Sequence, residues 1–350
     1  MNPPQGALLV GSVNLPDAES TFRAAAKALT GRLKRIPDGE VGDRVYWMVH
    51  QADYIARTPG IERVGDTPVL FNGCDLRPVR VADGVDPGNL VLSSLGYARD
   101  ALNSWTVFER LQQAGVINPA TKFQVSLPTP LAVVAAFATE DQRGLLEPIY
   151  ERALFAELDA IQDTIPRGSL AIQWDTSVEF GLIEKTGYPG FLSVPQPWFG
   201  DVWQGIIERA GRQACRVREE VELGFHLCYG DAGEQHFIEP VDTTNLARFA
   251  GELFAASPRQ VNWVHLPVPI GRHDDAYFVP LRDLPLPEHT ELYLGLVHRE
   301  DGIQGARRRI KAASRHVPRF GVATECGAGR APTEAIETLL ETHREVCEPW

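Results

Sequence analysis

The chain has 350 residues, and 46 acidic against 34 basic side chains leave a formal net charge of −12. That acidic balance excludes a general nucleic-acid or anionic-membrane binder, because both need a concentrated basic surface. No apolar run approaches the roughly 20 residues that span a bilayer, and 44% hydrophobic with 23% charged residues is the make-up of an ordinary globular protein.

Taken in chain order, short β-rich runs alternate with longer stretches of helical periodicity. Strands are expected at 7–12, 33–37, 122–127, 169–175, 222–228, 260–266, 291–298 and 319–324. Helices are expected at 18–29, 46–56, 95–113, 140–164, 201–220, 243–256, 302–315 and 332–346. Strand followed by helix, repeated, implies parallel pairing with helices covering the sheet. Eight such units are the number that closes a (β/α)8 TIM barrel, here as a single domain over residues 1–350. Two Gly- and Pro-rich insertions are expected, at 58–89 after the second strand and at 177–200 after the fourth. Residues 1–6 have no basic segment ahead of an apolar core, and the five cysteines are an odd number. Both features point to a cytoplasmic protein with reduced thiols rather than a disulfide scaffold.

The C-terminal ends of the strands carry the chemistry. The first ends at Gly11-Ser12 and the second runs into Asp38-Gly39-Glu40. The fourth ends at Trp174-Asp175, the fifth at His226 and Cys228, the sixth at His265, the seventh at His298, and the eighth runs into Cys326. In a barrel these ends converge on one pocket. Residues i and i+2 of a strand share a face, so His226 and Cys228 project together. Imidazole and thiolate are preferred zinc donors. Cys326 offers a second sulfur and His265 a second nitrogen, although a lone His-x-Cys is as compatible with ordinary buried residues. Cys74, Cys215 and Cys347 read as packing, and His50, His236, His289, His316 and His343 as surface or cap residues.

These motifs, in this order, resemble the catalytic barrel of cobalamin-independent methionine synthase, a family of zinc-dependent thiol alkyltransferases. Val10-Gly11-Ser12 is similar to its I-G-S opening, Asp38-Gly39-Glu40 to H-G-E, and Gln173-Trp174-Asp175 to Q-I-D. His226-Leu227-Cys228-Tyr229 is similar to H-M-C-Y, Val297-His298 falls at D-I-H, and Thr324-Glu325-Cys326-Gly327 falls at P-D-C-G. The resemblance implies zinc held by His226, Cys228 and Cys326, with His265 standing where the family has a glutamate ligand. It implies His298 as proton donor, and Ser12, Glu40 and Asp175 as holders of an amino-acid thiol. The folate half of the family pattern is largely missing: Q-I-D continues Thr176-Ser177-Val178 instead of E-P-A, and a carboxylate position falls near Gly181.

The expected activity is therefore zinc-dependent alkyl or methyl transfer to a small thiol, from a donor other than polyglutamylated folate. Trp174, Trp198, Phe199 and Tyr229 are candidates for an apolar pocket wall. A zinc hydrolase or C–S lyase on the same barrel is the alternative, and a non-catalytic thiol- or metal-binding barrel is a third. Expected partners are small molecules, with neither nucleic acid nor membrane; oligomeric state is left open.

Overall fold

A computed structural model of the chain describes residues 3–187, 194–232 and 234–350, with the side chain of Asp43 left aside. Eight parallel strands form the barrel: β1 (Ala7–Leu8), β2 (Arg35–Pro37), β3 (Lys122–Pro128), β4 (Leu170–Thr176), β5 (Glu222–Leu227), β6 (Trp263–Pro267), β7 (Glu291–Val297) and β8 (Gly321–Thr324). Each pairs with its sequence neighbour from β2 through β8, and β8 pairs with β1. The ring closes between β1 and β2 through a parallel bridge of Ser12 and Gly39, where the Val13 N–H donates to the Gly39 carbonyl at 2.9 Å. The chain thus folds as the (β/α)8 barrel expected of it.

Why these residues form these elements is local. All seven residues of β4 are buried, as befits a parallel strand covered on both faces. Helix Val202–Arg216 starts where Asp201 accepts the Gln204 N–H, and it turns an apolar stripe inward. Helix Pro130–Phe137 was not anticipated. No helix was expected between the third strand and residue 140, yet Thr129 caps this one and Pro130 occupies its first turn. The helix is buried almost all round, so it shows no amphipathic period.

The insertion after β2 holds two small antiparallel hairpins, Ile61–Arg63 with Val79–Val81 and Leu70–Phe71 with Cys74–Asp75. The insertion after β4 opens with helix Val178–Glu184, and its stretch 188–193 lies outside the described residues. The expected helix at 46–56 is shorter, Gln51–Ala56, because Trp47 takes a left-handed backbone with φ of 54°. His50, His316 and His343, expected at surfaces or caps, are buried. Among the described residues no helix is long and apolar enough to cross a membrane.

The N-terminal end of the barrel is plugged by charge. Arg35, fully buried, donates to Glu222 at 2.8 Å and Glu291 at 2.9 Å, and stacks on the Trp263 ring at 4.1 Å. Removing one member of a buried ion network leaves the others desolvated and unpaired. Arg35→Ala is therefore expected to lower unfolding stability by about 3–5 kcal/mol. The measurement is a urea midpoint shifted at constant slope; an unchanged midpoint would contradict the packing described.

Candidate metal and substrate site

At the other end of the barrel, a cavity of about 200 Å³ opens among the loops that follow β1, β2, β4, β5 and β8. Strand periodicity carries His226 and Cys228 to its floor, and the turn after β8 brings Cys326 beside them. The ligand atoms of these three residues lie within 4.8 Å of one another. The two sulfurs are 3.7 Å apart without a disulfide, and the Cys326 sulfur is 3.5 Å from His226 Nε2.

Those separations can be tested against zinc. A tetrahedral ion with Zn–S near 2.3 Å and Zn–N near 2.0–2.1 Å requires edges of about 3.8 Å for S···S and about 3.5 Å for S···N. Two edges of the triangle meet this requirement, Cys228 to Cys326 and Cys326 to His226, and the third, Cys228 to His226, is within 4.8 Å. The Gly230 N–H points at the Cys228 sulfur at 3.2 Å, and Arg330 reaches the Cys326 sulfur at 3.6 Å. The first favours the Cys228 thiolate, whereas at Cys326 the bond to Cys228 and burial outweigh Arg330 and push the thiol well up. The hydrogen bond from Cys326 and the neighbouring His226 hold the Cys228 thiol well below its usual range despite burial.

His265 does not complete the ligand set, which corrects the expectation of a second nitrogen donor. Its Nδ1 is 2.7 Å from His226 Nδ1, and its Nε2 is 3.0 Å from the Thr324 carbonyl. Burial, and then His226, keep this imidazole neutral. With Nε2–H given to Thr324, His265 Nδ1 accepts from His226 and leaves His226 Nε2 bare toward the sulfurs. His265 is thus placed to orient His226 rather than to join the sulfurs.

Two buried carboxylates line the same cavity. Glu40 sits in the left-handed region, with φ of 50°, a conformation that costs about 1–3 kcal/mol outside glycine. Asp38 holds it there by accepting the Glu40 N–H at 2.9 Å, and is itself anchored by Arg44 at 2.7 Å and Ser104 at 2.7 Å. Gly11 lacks the Cβ that would fall 2.8 Å from the Glu40 carboxylate, so strand β1 can pass beneath it. Asp175 is held by the Gln173 amide at 2.9 Å. Burial and mutual repulsion push Glu40 up to about 8, and burial pushes Asp175 up to about 7. The pair is therefore short of a positive charge. Ser12 lies on the wall, its Oγ accepting the Gly329 N–H at 3.3 Å.

Other expected site residues lie elsewhere. Trp174 falls between inward-facing Gln173 and Asp175, so strand alternation turns it outward onto Phe155, at 6.3 Å between ring centres. Tyr229 follows Cys228 and packs on Phe180 at 5.0 Å, its hydroxyl donating to Glu184 at 2.9 Å. Trp198 donates to Glu147, and Phe199 covers Arg209. None of these four lines the cavity. His298 also stands behind the wall: its Nε2–H donates to the Val268 carbonyl at 2.8 Å, and burial, then Arg309, pull it down to about 4.

Sequence reasoning missed the groups that do face the cavity or support it. Tyr46, Trp47 and Phe71 line it from the loop after β2, and Arg330, ion-paired with Asp231, lines it from the loops after β8 and β5. His236, expected at the surface, has a side chain only 4% exposed and lies 3.1 Å from Glu325. No periodicity marks loop residues of this kind; the three glycine-flanked segments around Cys326, Gly230 and Gly42 were the available signal.

No protein-family model matches this sequence, and no curated protein matches it. Comparison of folds does find relatives in architecture. A candidate vitamin-B12-independent methionine synthase from Listeria monocytogenes is 15% identical, with a TM-score of 0.59 over 99% of each chain. A B12-independent methionine synthase from Shewanella sp. W3-18-1, solved in complex with selenomethionine, is 12% identical, with a TM-score of 0.51 over 98% of this chain and 96% of that one. A methyltransferase from Methanosarcina mazei is 13% identical, with a TM-score of 0.53 over 99% and 94%. At these identities the likeness establishes the barrel, and the chemistry must be argued from the side chains.

The arrangement makes a direct prediction. Purified protein should hold about one zinc per chain, and Cys228→Ser should abolish tight retention. His265→Ala should weaken zinc affinity about 10- to 100-fold through loss of ligand orientation. Competition with a chromogenic chelator measures both, and an unchanged affinity in His265→Ala would contradict the orienting role.

Proposed function

We propose that the whole chain, 1–350, acts as one barrel domain that transfers an alkyl group, most simply methyl, to a small amino-bearing thiol, using zinc held by His226, Cys228 and Cys326. The observation that carries this reading is the cluster's shape: three donors on one face of a tetrahedron leave the fourth position toward the cavity that Glu40 and Asp175 line. Bound there, zinc supplies a Lewis acid that keeps an incoming thiol deprotonated at neutral pH.

The chain's own residues do the rest. Glu40 and Asp175, raised by burial, regain their ordinary acidity when an ammonium group lies between them, so they select an acceptor carrying one. Ser12, fixed by the Gly329 N–H, offers its hydroxyl hydrogen to the acceptor. Gln173 and Asp38 hold the two carboxylates in place, so little reorganisation accompanies binding. Apolar lining from Val10, Met48 and Val178 excludes water from the sulfur. The methionine-synthase architecture of the solved relatives agrees with this reading, and a thiol such as homocysteine has the required groups.

The test compares homocysteine with 4-mercaptobutyrate, which lacks the ammonium group, by calorimetry on zinc-loaded protein. Glu40→Gln and Asp175→Asn should each weaken homocysteine about 10- to 100-fold, in keeping with loss of a charge-assisted contact. They should change 4-mercaptobutyrate little. Equal loss for both thiols would contradict recognition through the ammonium group. Binding of neither thiol by the unaltered protein, together with hydrolysis of a thioester or thioether, would favour a zinc hydrolase instead.

A further inference from the structure

The donor side of the cavity has a chemistry of its own. Tyr46 and Trp47 come from the loop after β2 and Phe71 from the hairpin beyond it; the Tyr46 and Phe71 rings meet edge to face at 5.5 Å. Trp47 is held in a left-handed backbone at φ 54°, and its buried indole N–H is directed to the Asp175 carboxylate. Strain at Glu40 and at Trp47, both on this one loop, places a carboxylate and an indole on the same cavity. Aromatic faces attract cations, most strongly when both are shielded from water.

The charge count points the same way. Glu40 and Asp175 can each become a carboxylate on the wall once a cation lies beside them, while Arg330 and Asp231 neutralise each other. One ammonium group from the acceptor leaves one charge unmatched. A neutral methylamine donor would also need a proton delivered to its leaving nitrogen. An onium donor needs no such proton from any group on the wall, because its leaving group departs neutral.

From this we infer that the alkyl donor is a methyl onium, a small sulfonium or quaternary ammonium, held against Tyr46, Trp47 and Phe71 with its charge answered by Glu40 and Asp175. The inference rests on the alkyl-transfer reading above and names its second substrate class. In the step, the acceptor thiolate sulfur forms a new S–CH3 bond as the donor's S–CH3 or N–CH3 bond breaks. The bonding pair goes to the departing sulfur or nitrogen, which leaves as a neutral sulfide or tertiary amine. An anion and a cation become two neutral molecules, no proton is required, and an apolar cavity favours such charge cancellation.

The experiment uses the zinc-loaded full chain with trimethylsulfonium and tetramethylammonium as probes and neutral 3,3-dimethylbutan-1-ol as control. Calorimetry should show saturable binding of at least one cation and none of the control. Trp47→Leu should weaken that cation about tenfold, and Tyr46→Leu, on a more exposed side chain, should weaken it in the same direction should the first variant fold poorly. With homocysteine present, turnover should release dimethyl sulfide from the sulfonium or trimethylamine from the ammonium, in step with S-methylated thiol; the volatile product identifies which onium serves. Thiol binding without cation binding, or transfer from a methylated reduced folate but from neither cation, would overturn this inference and leave the thiol reading standing. Cation binding with no thiol binding would overturn the alkyl-transfer reading, and with it the onium's role as donor.

Discussion

The structure depends on one geometric constraint: parallel strands of a closed barrel must deliver their C-terminal ends to a common rim. His226 and Cys228 reach that rim because two residues along a strand return to the same face. Cys326 reaches it because β8 lies between β7 and β1 in the ring and its following turn folds over the mouth. In the resulting triangle of one nitrogen and two sulfurs, both edges that meet at Cys326, to Cys228 and to His226, have the length that a d10 tetrahedral ion asks for. Every other feature of the site is arranged around it.

Support for that triangle comes from buried polar groups whose hydrogen bonds are spoken for. His265 is fixed by the Thr324 carbonyl and in turn fixes the tautomer of His226. Asp38, gripped by Arg44 and Ser104, pins the strained loop that carries Glu40. Burial raises the cost of Asp38's charge, but Arg44 and Ser104 outweigh it and keep the carboxyl below its usual range. Asp38 therefore remains an anchor at neutral pH, while at Glu40 burial outweighs the pull of Arg44 and Arg330 and leaves it, with Asp175, to respond to a cation in the cavity. The anchoring carboxylate, Asp38, is thus the one that a guanidinium and a hydroxyl bond directly.

Much of this was legible in the sequence, and the misses have physical causes. Strand positions could be read because buried parallel strands are short apolar runs, and β3, β4, β5 and β7 lie within a residue or two of expectation. The candidate donors His226, Cys228 and Cys326, and the carboxylates Glu40 and Asp175, could be brought to one cavity because they sit on or next to strand ends. Trp174 was misplaced because adjacency to Asp175 suggested a shared pocket, whereas alternation sends neighbours to opposite faces. His265 was at the right strand end but one layer too deep: its register pairs it directly with His226, and two imidazoles side by side hydrogen-bond rather than both turn toward the sulfurs. Tyr46, Trp47, Phe71 and Arg330 escaped notice because loop residues obey no period. Their positions are set by left-handed turns and by ion pairs across loops, which a linear pattern does not reveal.

The central claim, that His226, Cys228 and Cys326 form the protein's contribution to one zinc site, is tested most directly by zinc K-edge fine structure on the purified, thiol-free protein. The account predicts a shell of two sulfurs at about 2.3 Å and one imidazole nitrogen at about 2.0–2.1 Å, with lighter scatterers completing it. A shell of nitrogen and oxygen alone, or one unchanged in Cys228→Ser, would contradict it.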